Sequence, residues 1–389
     1  MRKLGGAADK ASAYAAFVYV HLQTYIPLPG IMPGAYPNLS IMTYFSSDYS
    51  NVTTSSLLQT DGIVPVQDLL SVQDRLQIRD RIIRETMSDC VLCPRKCHVN
   101  RLEGRMGYCG QTDRLTAARA ALHFWEEPCI SGTEGSGTVF FSGCNLRCVF
   151  CQNHNIAIGK AGQPISTERL RDIFFELEAA GANNINLVTP THFVPQIARA
   201  LEDAKNHGLI LPIVYNTGSY EEVETLKLLD GLVDIYLPDL KYFSPELGQA
   251  FSNAPDYFEK ATAAIREMFR QVGPCVFESA ITDQPDEHNL LKRGMIVRHL
   301  LLPGQTKDSK KILRYLHETY GNDIYVSIMN QYTPLPHVAH IEALNRKVTA
   351  EEYDRVLSFA TRIGIEHGFM QEGEAASDSF IPEFDGRGI

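Results

Sequence analysis

A chain of 389 residues, 44% hydrophobic and 21% charged, has enough apolar content for one large core with a small satellite module and does not read as disordered. Its formal net charge of −10 disfavours anionic surfaces, so neither a nucleic acid nor a membrane is expected as partner. Nine cysteines, eight of them between residues 90 and 151, form tight groups. That is metal-ligand patterning in a reducing compartment rather than a secreted disulfide framework, and the expected location is cytoplasmic.

Residues 1–66 read as a loosely ordered extension. No Lys or Arg falls between Lys10 and Arg75, which argues against an Arg-rich transit peptide, and His21 and Gln23 interrupt the only signal-like apolar run. Residues 67–130 read as a helix followed by a metal-binding module. Leu69, Val72, Leu76 and Ile83 recur at helical spacing over 67–88. "CVLCPRKCHVNRLEGRMGYCG" then supplies Cys90, Cys93, Cys97 and Cys109. Four thiolates can close a zinc knuckle or hold an auxiliary iron–sulfur cluster, and the spacing does not choose between them. Cys129 and Cys275 read as lone buried thiols. In "LHFWEEP", His123, Glu126 and Glu127 read as solvated or structurally paired, and Trp125 as packing.

Residues 131–370 alternate short β-branched runs with amphipathic helices. The strand-like runs lie at 138–143, 184–189, 211–216, 233–238, 295–302 and 323–329. Ser166 is an N-cap candidate ahead of Leu170, Ile173, Phe174 and Leu177, and Gly181 ends that helix. Val194, Ile197, Leu201 and Ala204 line the next one. Ser219 with Glu222, and Thr349 with Glu352, have capping-box spacing. Six strands alternating with helices predict an α/β fold with right-handed parallel crossovers, either an open partial (β/α)6 TIM-like barrel or a doubly wound sheet. In both, ligands sit at the carboxyl ends of the strands. Residues 371–389 read as a tail.

After the first of these strands stands "SGCNLRCVFCQNHNI", with Cys144, Cys148 and Cys151. Zinc would require His154 as a fourth ligand. A [4Fe–4S] cluster held by only three thiolates leaves one iron with open coordination, which is the logic of a catalytic site.

The Cys-x3-Cys-x2-Cys spacing with aromatic Phe150 before the last cysteine resembles the radical S-adenosylmethionine (SAM) superfamily. The resemblance implies that the open iron binds the amino and carboxylate groups of SAM. An electron from the cluster then splits the sulfonium, and the resulting 5′-deoxyadenosyl radical abstracts a hydrogen atom. From about Cys90 to Gly368, "GSGTVFFSGCNLRCVFCQN", "NINLVTPTHFVPQI", "DIYLPDLKY" and "RHLLLPG" resemble the glycyl-radical-enzyme activases, in the branch similar to pyruvate formate-lyase activating enzymes. On that resemblance Asp239, Lys241 and Arg298 contact SAM, with Phe150, Asn153, Thr189, Thr191 and Asn216 as further cofactor-binding candidates. The superfamily's Gly-Gly-Glu stretch after strand two is replaced by "TPTH". Either the threonine hydroxyls and backbone carbonyls hold the SAM amino group, or it is held elsewhere.

The implied partners are a glycyl radical enzyme as substrate and an electron donor such as flavodoxin or ferredoxin. The alternatives are radical modification of another peptide or small molecule, and a non-catalytic iron–sulfur or zinc protein. Gln331, Tyr332 and His337, at the end of strand six, are candidates to face the substrate.

Overall fold

The computed structural model describes residues 70–279, 288–371 and 382–389. The extension expected over residues 1–66 lies outside them. The chain divides into Met1–Arg75, described only from residue 70, and Leu76–Ile389.

In chain order the elements are α1 (Val72–Ser88), β1 (Thr116–His123), α2 (Pro128–Ser131), β2 (Ser136–Phe141), α3 (His154–Ala157), β3 (Gln163–Pro164), α4 (Thr167–Ala179), β4 (Ile185–Val188) and α5 (Val194–Asn206). Then follow β5 (Ile213–Thr217), α6 (Val223–Leu226), β6 (Ile235–Pro238), α7 (Pro245–Ser252), α8 (Tyr257–Val272), β7 (Val276–Phe277), β8 (Leu291–Leu300), α9 (Thr306–Tyr320), β9 (Tyr325–Met329), α10 (Ala350–Ile363) and β10 (Gly368–Met370). The six expected strands are β2, β4, β5, β6, β8 and β9. They lie side by side in that order and pair in parallel. Each crossover therefore advances in the same direction, with no point of reversal of the kind a doubly wound sheet uses for its ligand.

Strand periodicity sorts the side chains into two faces. Val139, Phe141, Ile185, Leu187, Tyr215, Tyr236, Met295 and Val297 join Leu170, Ile173, Phe174 and Leu201 of the helices in the main core. Their alternates Val214, Ile235, Leu237, Ile296 and Tyr325 pack on Cys129 and Ile130. The short helix α2 is fixed there because Asn184 Nδ2 donates to the Ile130 carbonyl (2.7 Å) and Asn183 Nδ2 to that of Ser131 (2.6 Å). Cys129 is fully buried as expected, whereas Cys275 is only partly so.

Several expectations need correction. β1 pairs antiparallel with β2, and β3 with β1, making the sheet mixed. "TAARAALH" has too many alanines to read as a strand; it is held by its neighbours. On β1, the Ala120 amide donates to Arg387 O (2.9 Å) and the Gly386 amide to Ala118 O (3.1 Å), so the last residues of the chain are bound to this strand. Trp125 does not serve the core: it is 65% exposed. Ser219 and Glu222 form no capping box. Ser219 has φ +64°, and Glu222 caps α6 without a side-chain bond. Ser166 and the Thr349–Glu352 box cap α4 and α10 as expected. No described helix is long and apolar enough to cross a membrane.

Candidate metal and cofactor site

The loop after β2 turns at Gly143 (φ +87°), where a side chain would collide with Gln111 and with the Cys109 carbonyl. Cys144, Cys148 and Cys151 follow. The Leu146 amide donates to Cys144 Sγ (3.4 Å) and Ser252 Oγ to Cys148 Sγ (3.0 Å). Burial raises the Cys144 thiol pKa, and it raises that of Cys151 to about 12; the neighbouring sulfurs add to both shifts and Lys241 opposes them. Phe150 is buried edge-on among Tyr242, Phe251 and Tyr332, where it braces the loop.

A partly buried ionic chain runs beside this loop. Lys241 Nζ lies 2.5 Å from Asp239 Oδ2, and Arg298 Nε donates to Asp239 Oδ1 (2.8 Å). Arg298 also donates to Asn216 Oδ1 (2.6 Å) and Glu126 Oε2 (3.0 Å), and Glu126 Oε1 accepts from Asn186 and Asn216. Burial alone would raise the Asp239 carboxyl, but Arg298 and Lys241 outweigh it and hold it below the usual range. Burial raises both Glu126 and Glu127, against the pull of Arg298. The two cations thus favour the charged form of Asp239, whereas burial disfavours that of the glutamates. Among the expected cofactor residues, Asn216, Asp239, Lys241 and Arg298 are brought into one network. Glu126, set aside as solvated or structurally paired, is a paired and buried member of it.

Thr189 and Thr191 occupy the turn after β4. Thr189 has φ +57°, and its amide donates to Asn216 O (2.9 Å). Thr191 turns instead to a carboxylate that the sequence does not single out. Glu221 Oε1 accepts from Thr191 Oγ1 (2.6 Å), Thr217 Oγ1 (2.5 Å) and Tyr215 OH (3.3 Å), while Glu221 Oε2 is buried without a partner. Burial raises Glu221 to about 7 against those three hydroxyls. In "SYEEVETL" it reads as an ordinary acid at a helix start, so no sequence signal marks it.

Asn153 stands at the N-terminus of α3 without a side-chain cap. His154 stacks on His337 with ring centroids 4.5 Å apart, and His337 Nε2 lies 2.8 Å from Val149 O. Of the substrate-facing candidates, Tyr332 is buried and bonded to Leu344 O (2.6 Å), while Gln331 pairs with Gln371 (3.0 Å). A cavity of about 420 Å³ is lined by Gln152, His154, Leu335 and His337 together with Glu383 and Phe384 of the C-terminal segment.

The segment holding Cys90, Cys93, Cys97 and Cys109 packs on the same loop. Arg95 donates to the carbonyls of Asn145 (2.9 Å), Ser252 (2.8 Å) and Asn253, and its guanidinium stacks over Tyr108. Among the described residues, no three His, Cys, Asp or Glu side chains close around a single ion. All nine cysteines are free thiols. Three thiols on one loop have the donor chemistry of an iron–sulfur cluster, and the ion-paired Lys241 and Arg298 lie on the neighbouring strand ends.

Residues 138–316 match the Radical SAM superfamily. An uncharacterized protein of Methanocaldococcus jannaschii is 28% identical over 296 residues, covering 73% of this chain and 78% of its own. Among solved structures, SuiB of Streptococcus suis bound to its precursor peptide SuiA has 13% identity and a TM-score of 0.40, over 59% of this chain and 46% of SuiB. The chain thus spans about half of that protein. A domain of the pyruvate-formate lyase-activating enzyme of Bacteroides vulgatus has 12% identity and a TM-score of 0.32, over 46% of this chain and 91% of the domain. The FeFe-hydrogenase maturase HydG of Carboxydothermus hydrogenoformans has 13% identity and a TM-score of 0.36, over 62% and 58%. At these identities and scores none of the three carries a functional inference for this chain.

Proposed function

We propose, for a chain whose residues 138–316 form a radical SAM domain, that it is an enzyme built on a partial (β/α)6 barrel that activates a glycyl radical enzyme. Cys144, Cys148 and Cys151 would hold a [4Fe–4S] cluster, and its open iron would take SAM. The cluster and SAM together supply one-electron cleavage of a sulfonium and a carbon radical able to abstract hydrogen. The chain's own residues bind and orient. Lys241 and Arg298 offer cationic N–H groups to a carboxylate, Asp239 holds both in register, and Asn216 fixes the Arg298 fork. Phe150 and its aromatic neighbours exclude water from the loop.

The observation that carries the reading is the partly buried Lys241–Asp239–Arg298 chain next to the three-cysteine loop. A glycine in a partner protein is the target favoured by the sequence resemblance to activases. Anaerobic incubation of the reduced enzyme, SAM and a co-encoded glycyl-radical partner should give a glycine-centred EPR doublet. Formation of 5′-deoxyadenosine without a protein radical on any such partner would transfer the reading to another peptide or small molecule.

A further inference from the structure

Among the described residues, Arg101 is the largest side chain to be wholly buried. Its Nε and one terminal nitrogen donate to the Thr112 carbonyl (3.0 and 2.5 Å), and the other terminal nitrogen donates to the His192 carbonyl (2.7 Å). That second nitrogen also lies 3.9 Å from Cys90 Sγ. No carboxylate pairs with it among the described residues. A guanidinium remains charged at any accessible pH, and carbonyl dipoles do not neutralise it, so a buried one calls for an anion nearby. Cys90, 3.9 Å away, and Cys109, whose thiol feels the Arg101 charge, are groups near it that can become anionic.

The cysteine segment is folded into a tight loop that brings backbone amides to its sulfurs. The Cys90 amide donates to Val99 O (3.1 Å) and the His98 amide returns to Cys90 O (3.0 Å), closing a tight loop that runs through positive φ at Lys96 and His98. The Tyr108 amide donates to Cys97 Sγ (3.3 Å). At Gly107 a side chain would meet that same sulfur at 2.7 Å, so the backbone approaches it as closely as glycine allows.

We propose that Cys90, Cys93, Cys97 and Cys109 hold a closed metal centre of four thiolates, either a zinc ion or a [4Fe–4S] cluster, and that Arg101 is the positioning cation that balances its charge. With four thiolates either centre is a dianion, and binding releases the four thiol protons to solvent. Because Arg101 also holds the His192 carbonyl, the centre fixes the turn after β4, where Thr189 and Thr191 lie.

The site is tested separately from the radical chemistry. A Cys144→Ala/Cys148→Ala/Cys151→Ala variant, purified anaerobically, should retain either one zinc per chain or iron with matching sulfide. The two results identify the metal and each supports the site. A folded variant with neither overturns it. If the variant does not fold, wild-type protein decides: zinc, or iron and sulfide beyond a single cluster, supports the centre, and metal for one cluster only overturns it. Arg101→Met should shorten metal retention against a chelator by about tenfold, while Arg101→Lys, which keeps the charge, should restore most of it. Equal retention by Arg101→Met and wild type would overturn the role given to Arg101.

Discussion

Asp239 pairs with two partly buried cations at once. Replacing it with Asn keeps its shape but takes the paired carboxylate from Lys241 and leaves Arg298 with Glu126 alone. Breaking this partly buried pairing costs about 1–3 kcal/mol, between the values for exposed and fully buried pairs. Asp239→Asn should lower unfolding stability by that order, and in the folded fraction it should weaken SAM binding while cluster absorbance persists. Unchanged affinity by equilibrium dialysis would separate the ionic chain from the cofactor. Glu221 makes a second prediction, of opposite sign to the usual carboxylate. Its folded pKa of about 7 lies above the ordinary value for an unfolded Glu, so its contribution is fully present below that ordinary value and is lost as pH rises through 7. The effect is on the order of 3 kcal/mol. Glu221→Gln should flatten the fall in stability between roughly pH 4.5 and 7, measured by denaturant melts. An unchanged slope would mean that Glu221 is already ionised across that range. Neither Glu221 nor Arg101 has a spacing signal. A buried charge announces itself through what surrounds it, and the fold brings Thr191, in the turn after β4, to Glu221 beside Tyr215 and Thr217 of β5.

At the scale of elements, the parallel strands and their helices are legible because each carries an apolar period together with its own punctuation. Ser166 caps α4, and Thr349 with Glu352 caps α10. Thr349→Ala should cost about 1 kcal/mol, visible as a lowered midpoint of thermal unfolding. The same spacing at Ser219 and Glu222 misleads, because the tertiary pull of Glu221 into its hydroxyl nest overrides the local cap. β1 is illegible for the converse reason: its alanines become a strand only because β2 and the chain's last residues pair with it. The junction between the two cysteine segments can be probed at Gly143. Its positive φ and the Cys109 carbonyl, 2.8 Å from where a side chain would begin, leave no room for a methyl group. Gly143→Ala should cut iron incorporation at Cys144, Cys148 and Cys151 severalfold in protein that still folds by circular dichroism. Wild-type incorporation would mean that the loop tolerates displacement.

For the whole molecule, the carboxyl-end rule locates the chemistry. Strands β2, β4, β5, β6 and β8 deliver the cysteine loop, the Thr189 turn, Asn216, Asp239 and Arg298 to one interior region, and the sequence shows this once the strands are in order. What the sequence hides is the interior beneath. Glu126 and Asn186 lie far apart in the chain and meet only across the sheet. The substrate is not written in these parts, since under the proposed function they would handle cofactor rather than substrate. The central claim is that this buried constellation cleaves SAM by one electron. The most direct measurement is 5′-deoxyadenosine formed on anaerobic reduction of iron-reconstituted protein with SAM alone. The wild type should release it, and the Cys144→Ala/Cys148→Ala/Cys151→Ala variant should release none. A wild-type protein with a full cluster that binds SAM and forms no 5′-deoxyadenosine under reduction would contradict the account.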